Sequence, residues 1–254
     1  MKIVSWNINS LRKRLERLLA WLAQTQPDVV CLQETKCTDE QFPVMELQGA
    51  GYHSAFHGQK SYNGVAILSK IAPRDVRPSL CDEEDDPQAR VIAATIGTLR
   101  VYSIYAPNGQ AVGSPAYDYK MKWYARLQIC LRDRNEPPTA VCGDFNVAPQ
   151  DVDVYDPDLW RGAIMCSDDE RTAFAQLCAA GFTDTLRLHH PEPGLFSWWD
   201  YRMLAFPKNR GLRIDAILAN QPLARQCTAA GIDREIRKGK EPSDHAPVWA
   251  EFNL

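Results

Sequence analysis

Polar residues stand where the apolar runs of this chain stop. Asn7 follows Val4-Ser5-Trp6, Glu34 follows residues 29–33, and Tyr105 follows residues 101–104. Asp144 and Asn146 follow Val141-Cys142-Gly143, Asp215 lies inside the apolar run 212–218, and Asp244 and His245 precede the last apolar stretch. Strand ends are where a rigid scaffold presents functional groups. Singly, most of these residues have an ordinary explanation. Asn7 suits a helix-entry turn, Glu34 a helix cap or a surface acid, and Tyr105 a core aromatic with a wet hydroxyl. Asp144, in Gly-Asp-Phe-Asn, suits an Asx-turn. Asp215 is harder to dismiss, because an acid flanked by Ile214, Ala216, Ile217 and Leu218 is costly to bury unless paired. His245 beside Asp244, just before Ala246-Pro247-Val248, is as hard to explain as decoration.

As a set, these carboxylates, amides and one imidazole suit metal-assisted phosphoryl chemistry. Carboxylate and amide oxygens are hard ligands that favour Mg²⁺ or Mn²⁺ over zinc. A phosphodiester needs its charge neutralised and a water activated, and a carboxylate or histidine of tuned pKa can act as base. No G-x-x-x-x-G-K-[ST] loop occurs, which disfavours a nucleoside triphosphatase. No G-x-S-x-G elbow occurs either, which disfavours a serine esterase.

The elements that must position these residues follow from periodicity. Residues 2–6 read as a strand. Leu11, Leu15, Leu18, Leu19 and Leu22 then keep helical spacing, with Asn9 or Ser10 as cap and Pro27 as stop. Further strands are expected at 28–33, 64–69, 89–96, 99–105, 139–142, 196–199, 213–218 and 247–252. Helices are expected at 117–133, with Met121, Tyr124, Leu127, Ile129 and Leu131 apolar, and at 168–180, where Ser167 caps and Gly181 stops. Each half of the chain carries sheet and helix, which suits packed sheets with helices outside.

Composition is that of an ordinary globular protein, with 254 residues, 45% hydrophobic and 24% charged, and without a low-complexity linker, so one domain over residues 1–254 is expected. No stretch is apolar enough to span a membrane, and the N-terminus runs straight into a strand pattern without a secretory signal. The eight cysteines include no C-x-x-C pair and several sit in apolar runs, so a reduced, cytoplasmic protein is expected. The net charge of −3 disfavours a DNA-coating protein. Residues 202–240, however, hold nine Lys/Arg against three acids and could face a polyanion. The acidic run 82–86 reads as a solvated loop.

Eight short motifs carry a resemblance over almost the whole chain. They are Ser5-Trp6-Asn7-Ile8-Asn9, Leu32-Gln33-Glu34-Thr35-Lys36, Tyr62-Asn63-Gly64-Val65-Ala66 and Tyr105-Ala106-Pro107-Asn108-Gly109. After them come Gly143-Asp144-Phe145-Asn146, Trp199-Asp200-Tyr201-Arg202, Gly211-Leu212-Arg213-Ile214-Asp215 and Ser243-Asp244-His245-Ala246-Pro247. In this order the chain resembles exonuclease III and the apurinic/apyrimidinic endonucleases of the endonuclease/exonuclease/phosphatase superfamily. The resemblance implies an α/β fold, a four-layer α/β/β/α sandwich of two packed mixed sheets flanked by helices. It also implies a Mg²⁺-dependent DNA repair nuclease, acting as a 3′–5′ exonuclease or incising 5′ of abasic sites, with Mn²⁺ able to substitute.

By the same resemblance, Glu34 is the principal metal ligand, with Asn7 and Asp244 holding the metal or its waters. Asp144 orients or deprotonates the attacking water, and Asn146 and His245 bind the scissile phosphate; all three also lie within reach of the metal. Asp215 orients and charges His245, and Tyr105 contacts the phosphate or assists proton transfer. Asn9 departs from relatives that carry an aspartate there, leaving the metal's surroundings less acidic. For DNA, Trp198, Leu212 and Ile214 match an apolar pocket for a flipped, baseless sugar, although core packing would also explain Ile214, and Trp198 less well. Lys36, Asn108 and Arg202 are expected at the backbone or groove, and Met165 on a loop beside the abasic strand. The expected partner is duplex DNA with abasic sites or 3′ ends, bound by a monomer. A superfamily phosphatase acting on lipid or inositol phosphates would share Glu34, Asp144 and the Asp244-His245 pair, but not the segments 199–202 and 211–215. A non-catalytic DNA-binding relative would have lost a ligand or the histidine.

Overall fold

The computed structural model describes residues 1–80, 82, 86–132 and 137–254. Two six-stranded mixed sheets pack face to face with helices outside, the four-layer sandwich expected. The first sheet is built from β1 (Lys2–Asn7), β2 (Val29–Gln33), β3 (His53–His57), β4 (Val65–Ser69), β11 (Cys227–Ile232) and β12 (Val248–Phe252), in the order β11-β12-β1-β2-β4-β3. The second holds β5 (Arg74–Arg77), β6 (Val91–Ile96), β7 (Leu99–Tyr105), β8 (Thr139–Asp144), β9 (Phe182–Asp184) and β10 (Asp215–Asn220), in the order β5-β6-β7-β8-β10-β9. The helices are α1 (Leu11–Thr25), α2 (Val44–Gly49), α3 (Pro115–Leu131), α4 (Pro157–Trp160), α5 (Asp168–Ala179), α6 (Thr185–His189) and α7 (Gln221–Ala224).

The central strands are apolar on both faces because both faces are covered. In β1 and β2, Ile3, Val29 and Cys31 enter the core between the sheets. Val4, Trp6, Val30 and Leu32 point the other way, onto Leu11, Leu18, Trp21 and Leu22 of α1. In β7, Val101 joins the inter-sheet core, while Tyr102 and Ile104 meet Trp123, Tyr124 and Leu127 of α3. Gly143 permits the close approach of β7 and β8, since a methyl there would overlap the Ile104 carbonyl.

Several expectations are corrected. Residues 196–199 form no strand; Trp198 makes only isolated bridges to Leu212 and His245, and these aromatics are held by burial rather than by a ladder. Ile129 is 62% exposed on the outer face of α3. Ser10 precedes α1 but makes no side-chain cap, whereas Ser167 forms a full capping box with Glu170. The expected end of α3 at residue 133 and the acids 83–85 lie outside the described residues. Asp82 and Asp86 are not merely solvated, because both pair with Arg126. Cys130 is disulfide-bonded, against the expectation of a fully reduced chain, while Cys31, Cys37, Cys142, Cys166, Cys178 and Cys227 are free.

The basic segment 202–240 is also less available to a polyanion than its charge count implies. Arg213 is buried, donating to Asp153 at 2.6 Å and to Asp184 at 2.7 Å, and Arg237 is buried too. Arg187 binds the same Asp153 carboxylate, which is wholly buried and held below the usual range: burial opposes ionisation, but Arg213 and Arg187 outweigh it. Asp153→Ala would take from Arg187 its carboxylate partner and leave the buried Arg213 with Asp184 alone, so a stability loss of about 3 kcal/mol is expected. A denaturant midpoint unchanged from the parent protein would show that the network is dispensable.

Candidate active site

One edge of the two sheets gathers the polar residues. The parallel pairs β1–β2 and β7–β8 end there together, with Asn7 in register with Gln33 and Tyr105 with Asp144. The antiparallel β10 starts there, placing Asp215 opposite Asp144, and β12 starts just after His245. Strand direction thus brings residues 7, 34, 105, 144, 215 and 245 to one place. Two serines finish the frame. Ser243 Oγ donates to the Asn7 carbonyl at 2.7 Å, and Ser197 Oγ accepts from the amides of Ile214 and Asp215, each at 3.1 Å.

Asn7 stands between two carboxylates, its Nδ2 lying 2.9 Å from both Glu34 Oε1 and Asp144 Oδ2. Glu34 takes a left-handed backbone, φ 52°, just beyond the end of β2. Lys36 Nζ lies 2.5 Å from Glu34 Oε2 and 2.7 Å from Asn9 Oδ1, so this lysine faces the carboxylate cluster rather than open solvent. Burial favours a protonated Glu34, yet Lys36 and Asn7 outweigh it and hold the carboxyl below its ordinary value.

The second half of the site is a charge relay of position, not of protons. His245 Nδ1 lies 2.8 Å from Asp215 Oδ2, and its Nε2 lies 3.8 Å from Asp144 Oδ2. Burial alone would lower the histidine's pKa, but Asp215, helped by Asp144, raises it to about 10. Burial pushes Asp144 up to about 7, with Asp215 adding to the rise and His245 and Asn7 partly offsetting it. Burial, with the charges of Glu34 and Asp144 beside it, keeps the Tyr105 phenol protonated well above pH 10. Arg90 lies 4.9 Å over its ring.

A divalent cation fits this chemistry. One ligand atom each from Glu34, Asp144 and His245 lies within 4.8 Å of the others, and two of the three are carboxylates. The other expected ligands are placed less directly. Asp244 accepts from Asn9 Nδ2 at 2.9 Å and from Trp198 Nε1 at 3.0 Å. Asn146 donates to the Ala106 carbonyl at 2.9 Å, and its Oδ1 accepts from Asn108 at 3.1 Å. Both are therefore engaged with protein partners around the cluster.

The expected DNA contacts divide. Asn108 and Arg202 are exposed, Arg202 pairing with Asp200 at 2.7 Å. Trp198 stands half-buried over Asp244, and lines a cleft of about 470 Å³ with Tyr155, Trp160, Arg202 and Met203. Leu212 and Ile214 are buried, and they form one apolar cluster with Met165, which is 7% exposed. The apolar walls are present, but Met165 packs among them. The sequence reading missed Ser197 and Ser243, along with Lys120 and Glu170, two wholly buried charged residues beneath the loops of Asn108 and Asn146. Lys120 was detectable: it falls three residues after Tyr117 and four before Tyr124, on the face of α3 that those aromatics bury.

The match to known proteins decides the family. The model of the endonuclease/exonuclease/phosphatase family covers residues 4–245. The chain belongs to this family. It is 40% identical to exodeoxyribonuclease III of Haemophilus influenzae, across 99% of this chain and all of that one. Among solved structures, a Neisseria 3′ phosphatase, NExo, bound to a product DNA hairpin superposes with a TM-score of 0.98 at 45% identity, each chain fully covered. An AP endonuclease from Archaeoglobus fulgidus gives 0.96 at 38% identity, again over both full chains. The family the chain belongs to agrees with a site whose groups can bind a cation, activate water and meet an oxyanion.

Proposed function

We propose that this chain, as one catalytic domain over residues 1–254, is a Mg²⁺-dependent nuclease that trims 3′ ends of duplex DNA and incises beside abasic sites. It is a DNA repair nuclease and a metal-dependent phosphodiesterase. The observation that carries this reading is the cluster of Glu34, Asp144 and His245 with Asn7 between its carboxylates. Mg²⁺ held by Glu34, with Asn7 and Asp244 supporting it, would neutralise phosphate charge and lower the pKa of water.

The chain's own groups supply the rest. Asp144, poised at about 7, takes the proton of the attacking water near neutral pH. His245, protonated and held by Asp215, offers its Nε2 proton to a phosphate oxygen on which charge builds. The protonated Tyr105 adds a second donor, and Asn146 sits where its loop meets Asn108. The protein is taken to act as a monomer in the cytoplasm, a setting favoured by six free thiols although Cys130 is disulfide-bonded. The deciding assay titrates Mg²⁺ against cleavage of a duplex with a recessed 3′ end and of one with an internal abasic site. Cleavage of at least one, lost with EDTA and restored by Mg²⁺, is expected. Cleavage of neither, with turnover of an inositol phosphate instead, would replace the nuclease by a phosphatase.

The balance between the two DNA substrates is assigned to Met165. It packs on Leu212 and Ile214, the walls a flipped sugar would meet, and adopts a left-handed φ of 68° that glycine takes without strain. Met165→Gly is expected to raise abasic incision relative to end trimming by about tenfold, equivalent to about 1.4 kcal/mol of barrier. An unchanged ratio of the two initial rates would remove Met165 as the determinant.

A further inference from the structure

Lysine is almost never fully buried unless paired, yet Lys120 of α3 has no exposed surface. Its Nζ donates to the Asn146 carbonyl at 2.7 Å, to the Asn108 carbonyl at 3.1 Å, and to Glu170 Oε1. An ammonium has three protons, and all three are spent. None remains for a substrate. Glu170, on α5, is equally occupied: Oε1 also accepts from the Met165 amide at 3.0 Å, and Oε2 accepts from the Ser167 amide at 3.1 Å and hydroxyl at 2.7 Å.

The pair therefore joins three loops that border the site, those of Asn108, Asn146 and Met165. The link continues into the cluster itself, because the Asn146 amide donates to Asp144 Oδ1 at 2.9 Å and Asn108 donates to Asn146 Oδ1. Stability is a poor reason for such a pair, since well-packed apolar residues of similar volume often do as well or better. What apolar residues cannot do is hold three backbone segments by directional bonds.

We infer that Lys120 and Glu170 are positioning residues, which set the loops of Asn108, Asn146 and Met165 for turnover without touching DNA. The inference rests on the nuclease reading for its kinetic consequence, but the clamp itself has a readout independent of any substrate. In Lys120→Met/Glu170→Met, which buries no unpaired charge, hydrogen exchange at the amides of Met165 and Asn146 is expected to accelerate at least tenfold. The variant leaves two carbonyls and two amides without their partners and should melt below the parent protein, yet remain folded and bind duplex DNA within about threefold of it. Its turnover should nevertheless fall by roughly 30–100-fold, the cost of a small misplacement of reacting groups. Unchanged exchange at both amides would overturn the clamp, whatever the substrate. Accelerated exchange with parental turnover, or a loss confined to KM, would overturn its role in catalysis. Should the double variant not fold, Glu170→Gln, which keeps the shape of the pair, is read the same way, with a loss of about tenfold in turnover expected and parental turnover decisive against it. Parental protein that cuts no DNA would overturn the nuclease reading, leaving the exchange experiment to judge the clamp.

Discussion

Glu34→Ala is expected to reduce DNA cleavage by about 10²–10³-fold or more at saturating Mg²⁺, the range for loss of a central charge-stabilising group. The fold should survive. Glu34 lies just beyond β2, and the partners it would release are Asn7 and the partly exposed Lys36, which solvent can reach. Alanine meets the same left-handed φ of 52° that glutamate already tolerates there, so the backbone pays little more. Two further readouts separate a lost ligand from a disturbed loop. Calorimetry should show weakened Mg²⁺ binding, while duplex DNA affinity measured in EDTA should change little. Excess Mn²⁺ should restore part of the rate, because Asn7 and Asp244, which would support the metal, keep their places. Parental cutting at limiting Mg²⁺ would remove Glu34 from the metal site.

That such a residue can be chosen from sequence has a physical reason. The strands that carry the site are central, buried on both faces and written as near-continuous apolar runs, so the point where the run stops is visible. The β7 strand, Leu99–Tyr105, was legible for this reason, and the cap Ser167 from its residue type just before a helical pattern. The edges were not. Every residue of β5 is exposed, β9 has three residues, and β11 reads Cys-Thr-Ala-Ala-Gly-Ile, in which small side chains carry little periodic signal. The segment 196–199 misled in the opposite direction, because its aromatics favour strands by type while Trp199 is buried here by tertiary packing. Charge counting misled in the same way at Arg213 and Arg237, which serve internal carboxylates and carbonyls. Lys120 lies between: its spacing to Tyr117 and Tyr124 marks the buried face of α3, but only the three acceptors above it, drawn from distant parts of the chain, explain how a lysine is held there.

Asp215→Asn is expected to lower turnover by roughly 10²-fold or more while leaving DNA binding close to that of the parent protein. The argument runs through His245. Burial works against the imidazolium, and Asp215, 2.8 Å away, supplies most of what opposes it, so that the proton is held up to about pH 10. Asparagine keeps the volume and can still accept from Nδ1, but it has no charge, and only Asp144 and, more weakly, Asp244 are left to oppose desolvation. The histidine's pKa then falls back toward its ordinary range. The Asp144 pKa falls as well, since Asp215 adds to its elevation to about 7 and its removal lets that carboxyl ionise at lower pH, provided His245 stays charged. For the parent protein the signs predict activity that rises as Asp144 ionises near pH 7 and falls only as His245 deprotonates near pH 10. In the variant the alkaline limb should move down by at least two units, leaving a narrow optimum or none. Stability linked to His245 follows the same sign: it is fully present below the unfolded value near 6.5 and lost as pH climbs toward about 10. The variant's stability should therefore respond less to pH between those limits. Profiles of kcat and of melting temperature against pH, run on both proteins, test the two statements separately. An unmoved alkaline limb would mean that His245 is not the acid lost there, and intact turnover with weakened DNA binding would make Asp215 a structural brace.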